Sequence, residues 1–148
     1  MKILTIHADF IEFAVKKKAL KEAAEAPKES QRIEECLVVF TAVEKADEKH
    51  LPGTVERYVQ EIQNIAQQVG VKNVVLYPYA HLSSSLAVPK TAEAVLKEAE
   101  QLLSEKKYKV TRAPFGWYKS FTIACKGHPL SELSREFHLG IAPENKPA

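Results

Sequence analysis

One charge stands where an apolar residue belongs. In Trp117-Tyr-Lys-Ser-Phe-Thr-Ile-Ala-Cys125, strand alternation puts Trp117, Lys119, Phe121, Ile123 and Cys125 on one face. A half-buried ammonium must find an anion, snorkel to water or give up its proton, so Lys119 is the first residue that needs a task. Three polar segments follow strand-like runs: His7-Ala-Asp9, Tyr79-Ala-His-Leu-Ser-Ser84, and Lys126-Gly-His-Pro-Leu-Ser-Glu132. In an open α/β sheet such segments converge beyond the strand ends, where sites form. Each also has a plainer reading. His7 reads first as a hydrogen-bonded structural residue, His128 as a cap of the turn at Pro129, and Glu132 equally as a first-turn helix acid.

Several chemistries are disfavoured. No G-x-S-x-G elbow surrounds Ser83, Ser84 or Ser85, and neither a P-loop nor a G-x-G-x-x-G occurs. Cys125 and His128 form a C-x-x-H pair without a second pair facing it, so no metal is expected. Cys36 and Cys125, far apart on strand-like segments, read as buried free thiols in a reducing compartment.

The elements that must position these residues follow from periodicity. Residues 3–6 are a short apolar strand that His7-Ala-Asp9 ends or kinks, and residues 10–15 resume the alternation. Residues 16–35, rich in Lys, Glu and Ala, read as a solvated excursion without chemistry. Residues 36–43 are apolar on both faces, as in a strand covered on each side. A charged loop over 44–53 leads to a helix capped by Thr54, with apolar residues at Val55, Tyr58, Val59, Ile62, Ile65, Ala66 and Val69 and a stop at Gly70. Residues 73–79 are a second central strand. Thr91 caps a second helix with Ala92, Val95, Leu96, Ala99, Leu102 and Leu103 on its stripe. Residues 108–112 and the Lys119 strand follow, and Gly127 to Pro129 opens a terminal helical turn. The expectation is an α/β fold, a β-sheet with two main amphipathic helices packed on one side.

With 148 residues the chain reads as one domain over 1–140, and 141–148 as a linker toward a missing C-terminal part. Apolar content of 45% and charged content of 27% fit a soluble globular protein. A net charge of +2 leaves no basic tract able to hold a large nucleic acid by charge alone; a local patch or another domain must do that. No signal peptide or membrane span is legible, so the expected location is cytoplasmic.

The segments Tyr77-Pro-Tyr-Ala-His-Leu-Ser-Ser84, Ala113-Pro-Phe-Gly-Trp-Tyr-Lys119 and Cys125-Lys-Gly-His-Pro-Leu-Ser-Glu-Leu-Ser134 resemble the N-terminal editing domain of archaeal threonyl-tRNA synthetase. Ile6-His-Ala-Asp-Phe-Ile-Glu12 resembles its first motif. The resemblance implies a D-aminoacyl-tRNA deacylase-like fold, usually homodimeric, that hydrolyses the ester joining serine to the 3′ end of threonine tRNA. The Ser-Gln-Phe-Thr and Gly-Pro-Val-Thr signatures of stand-alone deacylases are missing here, which is consistent with a pocket open to L-serine and leaves D-amino acids undecided. By the same resemblance, Lys119 holds the attacking water or the ester oxygen with Glu132 as its partner, and His81 lies beside the aminoacyl group. The backbone of Ala80, Leu82 and Ser83 hydrogen-bonds the substrate, and Val43 and Tyr118 shape the pocket. No cofactor is implied; ATP and zinc belong to the synthetase's catalytic domain. The partners implied are the seryl-bearing threonine tRNA 3′ end and the rest of the synthetase. The competing readings are a non-catalytic amino-acid or tRNA-end binding module and a purely structural dimerisation domain.

The physical need for such an activity is definite. Serine lacks one methyl of threonine, and a missing methyl gives a synthetic site only about 1–3 kcal/mol of discrimination. A second pocket too small for threonine removes the error. The ester is already activated, so the pocket must orient a water and stabilise an oxyanion rather than build a strong nucleophile.

Overall fold

The computed structural model describes residues 1–140; the proposed linker at 141–148 lies outside the described residues. In chain order the elements are β1 (Lys2–Lys18), β2 (Gln31–Ala42), α1 (Leu51–Val69), β3 (Asn73–Pro78), α2 (Pro89–Glu105), β4 (Lys109–Arg112), β5 (Trp117–Cys125) and β6 (Glu132–Glu136). The sheet runs β4-β3-β2-β1-β5, and β6 pairs with β1 as well. β2, β3 and β4 are mutually parallel, joined through α1 and α2, whereas β1 is antiparallel to β2, β5 and β6. Leu37, Val39, Val74 and Leu76 point to one side, where Tyr58, Ile62, Ile65, Leu96 and Leu103 of both helices cover them. The expected placement of both helices on one side holds. Among the described residues no helix is long and apolar enough to cross a membrane.

Both helices start earlier than the Ser/Thr capping signal suggests. α1 begins at Leu51 with Pro52 in its first turn, and α2 at Pro89. Proline's fixed φ is already helical and its missing N–H costs nothing there, so each proline displaces the expected threonine cap. Thr54 is instead buried in the first turn, and its hydroxyl has no hydrogen-bond partner among the described residues. The segment expected as a plain loop holds a 3-10 helix over Lys45–Lys49.

β1 is one strand rather than two, and the kink expected at His7-Ala-Asp9 is a bulge. β5 pairs Cys125 with Ala8 and then Ala124 with Phe10, which leaves Asp9 unpaired. On β2, Glu35 stands opposite it with φ +47, in the left-handed region. The shift reverses the alternation, so Ala8 before it and Ile11 and Phe13 after it reach the same face. Lys126 Nζ holds both acids, at 2.6 Å from Asp9 Oδ1 and 2.9 Å from Glu35 Oε1.

The bulge also bends the sheet. Tyr77 aligns through Phe40 with Leu4 of β1, nine residues before Phe13. A straight strand would separate those levels by about 30 Å, yet the rings of Phe13 and Tyr77 are 5.7 Å apart. The helix-free face therefore curls into a concave surface, closed by edge-on and tilted contacts among Phe40, Tyr77, Tyr79 and Phe121.

His7 and His128 meet at this bend, Nδ1 to Nε2, 2.7 Å apart. The Leu130 amide donates to His128 Nδ1, so His128 must donate from Nε2 to His7. Burial first, then the charges of His128 and Lys126, lower the pKa of His7. A neutral, bonded His7 matches the structural reading of that residue.

Three expectations need correcting. The excursion over residues 16–35 is confined to 19–30, since β1 extends to Lys18 and β2 starts at Gln31. Their polarity reflects a hairpin arm with solvent beside it, not missing structure. The terminal helical turn is absent: Glu132 opens β6, paired with Ile6, because β1's edge beyond the bulge needs a strand to satisfy it. Cys36 is buried as expected, its thiol pushed up to about 11 by burial and then Glu35, but Cys125 is exposed.

Candidate active site

A cleft of about 350 Å³ opens where parallel strands β2 and β3 end. That is the carboxyl-end position favoured for sites in such sheets, and the volume suits a small-molecule moiety. Thr41, Ala42 and Val43 come from β2 and the residue after it, and Tyr77 and Pro78 from β3. Tyr79, Ala80 and His81 enter on the short 3-10 helix Ala80–Leu82 and its cap. Ala87 and Ala92 wall one side and Phe115 to Lys119 the other.

Lys119 reaches the cleft from β5. Its Nζ donates to the carbonyl oxygens of Pro114 (2.7 Å) and Trp117 (3.0 Å) and sits 5.1 Å from the centroid of the Tyr77 ring. An ammonium has three protons, so one remains for a ligand. Among the described residues no carboxylate lies within ion-pair distance of it, and burial lowers its pKa to about 8. Carbonyl dipoles and an aromatic face thus hold a cation that sheds its proton far more readily than an ordinary lysine. The turn that aims Pro114 at Lys119 depends on Gly116, whose φ is +83 and whose position would bring a Cβ to 2.9 Å from Ala23 Cβ.

The cleft gathers Lys119, His81, Val43, Ala80 and Tyr118 of the residues expected from sequence. Leu82 and Ser83 do not line it. Leu82 packs on the concave apolar cluster, and Ser83 donates to Glu44 Oε2 at 2.5 Å. Glu132 shares the concave face with Ile6, the side to which Lys119 and Phe121 also point, but no ion pair or hydrogen bond joins it to Lys119.

Sequence reasoning missed Glu44, read as part of a loop. It is 5% exposed, and its Oε1 accepts from His138 Nε2 (2.6 Å) and lies 3.0 Å from the Met1 ammonium. Burial pushes its pKa up, but the bonds from Ser83, Met1 and His138 outweigh that and hold it below the usual carboxylate range. Val43 and Lys45 are zipped to Ala87 and Ser85 by backbone hydrogen bonds, so Glu44 fixes the loop behind Ala80 and His81. A glutamate following a buried strand end was the one available signal. Glu136 joins Glu44 and His138 within 4.8 Å, but the Glu44 oxygens in this group already bond Met1, Ser83 and His138.

Residues 1–137 match the archaea-specific editing domain of threonyl-tRNA synthetase. The chain belongs to that family. This editing domain is 52% identical over 146 residues to the threonine--tRNA ligase of Methanocaldococcus jannaschii, covering 99% of the chain and 23% of the relative. Identity to the ligase of Methanosarcina acetivorans is 53% over 139 residues, 93% of the chain and 22% of that relative. The chain thus spans under a quarter of the length of these ligases. Among solved structures, the c-Myc DNA Unwinding Element Binding Protein superposes with a TM-score of 0.65 at 14% identity, over 93% of the editing domain and 99% of that chain. The likeness shows the fold, which is the D-aminoacyl-tRNA deacylase-like one expected.

Proposed function

We propose that this editing domain hydrolyses the ester linking serine to the 3′ end of threonine tRNA. The observation that carries the reading is Lys119: a cation held by two carbonyls and the Tyr77 ring, with a free donor, in a cleft lined by Val43, Ala87 and Ala92. A cation without a carboxylate partner is suited to a developing oxyanion, because its charge is not already neutralised. Lys119 holds the ester oxygen or the attacking water, and His81 lies beside the aminoacyl group. The backbone at Ala80 to Ser83 hydrogen-bonds the substrate, while Val43 and Tyr118 set the pocket's size. Glu132, on the same concave face, completes the set across the bound substrate; catalytic hydrogen bonds often close only around the ligand. The ribose hydroxyl beside the ester can assist, so a nucleophilic triad is not required.

The domain works as a cytoplasmic homodimer within the synthetase, which supplies the rest of the tRNA contact. Seryl- and threonyl-tRNA are each incubated with the pure chain and the surviving charged fraction is followed. Serine is expected to leave at least about 100-fold faster than without protein, the scale of one positioned acid–base or oxyanion group, while threonine stays. Release of serine at the protein-free rate would refute the editing role and leave a binding module. Equal loss of both would refute the size sieve alone.

A further inference from the structure

The hairpin arm, solvated and devoid of chemistry by its composition, forms part of the cleft's mouth. Ala19 and Leu20 line the cleft, and their amides donate to the Gly116 carbonyl at 2.7 and 3.1 Å. Trp117 Nε1 donates to the Ala24 carbonyl at 2.8 Å, which ties the arm to the Lys119 strand. On either side of these wall residues stand Lys16, Lys17, Lys18 and Lys21, all exposed. Lys18 pairs with Glu25, whereas Lys16, Lys17 and Lys21 have no ion-pair partner among the described residues. Across the strand pair, Lys17 stands opposite Tyr118 and Lys18 opposite Trp117. Both aromatic residues line the cleft, and Tyr118 is 57% exposed.

We propose that this patch is the track for the single-stranded 3′ end of the tRNA, its phosphates on Lys16, Lys17 and Lys21 and a base against Tyr118. The inference rests on the editing reading, since it assumes that the terminal nucleoside enters the cleft. Lysines interleaved with exposed aromatics bind single strands through phosphate charge and stacking, without reading sequence. The chain is nearly neutral, at +2, so attraction to RNA must come from such a local group. Residues 16–21 contain four lysines and no acid, and they lie directly beside the cleft. Duplex RNA would not thread the same path, because the cleft beyond it admits only a free end.

The test compares two esters, seryl-tRNA and seryl-adenosine, which lacks the phosphates. In the K16Q/K17Q/K21Q variant the ratio of KM for seryl-tRNA to KM for seryl-adenosine is expected to rise at least tenfold. The slope of log(kcat/KM) for seryl-tRNA against log salt should flatten by about 2, because each single-strand phosphate that a lysine neutralises adds about 0.7 to it. The matching arginine variant should keep the wild-type ratio. An unchanged ratio and slope, or equal impairment on both esters, would overturn the track. A second arm does not depend on hydrolysis: a short single-stranded RNA with a free 3′ end should bind the glutamine variant at least tenfold more weakly, by fluorescence anisotropy. If wild type hydrolyses neither ester, the editing reading fails, and this binding arm still decides the track. Equal binding of single-stranded and blunt duplex RNA would also overturn it.

Discussion

Lys119→Met is expected to slow serine release from tRNA by at least about 100-fold, the range of a single acid–base or oxyanion group, with the fold retained. Methionine matches the lysine stem in length and is apolar, so it removes a charge that burial disfavours. The carbonyls of Pro114 and Trp117 lose a donor in exchange. These effects oppose one another, and the melting temperature should move by no more than about 5 °C. The pH profile of wild type supplies the sign. Burial brings the lysine down to about 8, so the ammonium is fully present only below that pH. If the ammonium stabilises the oxyanion, kcat/KM falls as pH rises through about 8, once the protein-free ester hydrolysis, which climbs with pH, is subtracted. A rise through the same range would assign Lys119 to proton abstraction instead. Near-normal release by the methionine variant would remove it from the chemistry altogether.

Glu44→Ala is expected to damage both stability and activity. The carboxylate is buried, and its removal leaves His138 and Ser83 without this acceptor and takes one of two carboxylates from the Met1 ammonium, which keeps Asp47 and the Phe137 carbonyl. Breaking a buried charge cluster from one side costs about 3–5 kcal/mol, which in a domain of this size lowers the melting temperature by about 10 °C or more. Serine release should also fall at least about tenfold at temperatures where the variant is still folded, because a shift of about 1 Å in a positioning loop has that scale of effect. Glu44→Gln keeps an acceptor for Ser83 and should recover much of the activity but less of the stability. Lower stability with release unchanged would make Glu44 scaffolding for the fold and not for the cleft.

These two residues mark how far the sequence could be read. Lys119 was legible because alternation is a strict rule in strands, and a charge that breaks it must be accounted for. The central strands and both helices were legible for the same reason: Val38 and Val39 are apolar on successive faces, and Val55, Val59 and Ile62 recur at helical spacing. Glu44 was not legible, since its role comes from Ser83 and His138, 39 and 94 residues away. The bulge at Asp9 was half legible. The polar break showed that something happens there, but not that Glu35 would face it across β2 or that the sheet would fold over its own face. Glu132 was misread because Pro129 and a following acid mimic a helix start, while the open edge of β1 claims the segment as a strand. The strand ends of the hairpin arm, 16–18 and 31–35, were not legible because exposure on a strand edge and exposure in a loop leave the same composition.

The most direct test of the account is where a seryl-adenosine amide, which resembles the substrate but does not hydrolyse, binds in a crystal structure. The serine should lie between Val43 and Tyr118, with its carbonyl oxygen or an ordered water within hydrogen-bond reach of Lys119 Nζ. Binding away from the cleft, or in it with Lys119 still turned wholly to the Pro114 and Trp117 carbonyls, would contradict the account.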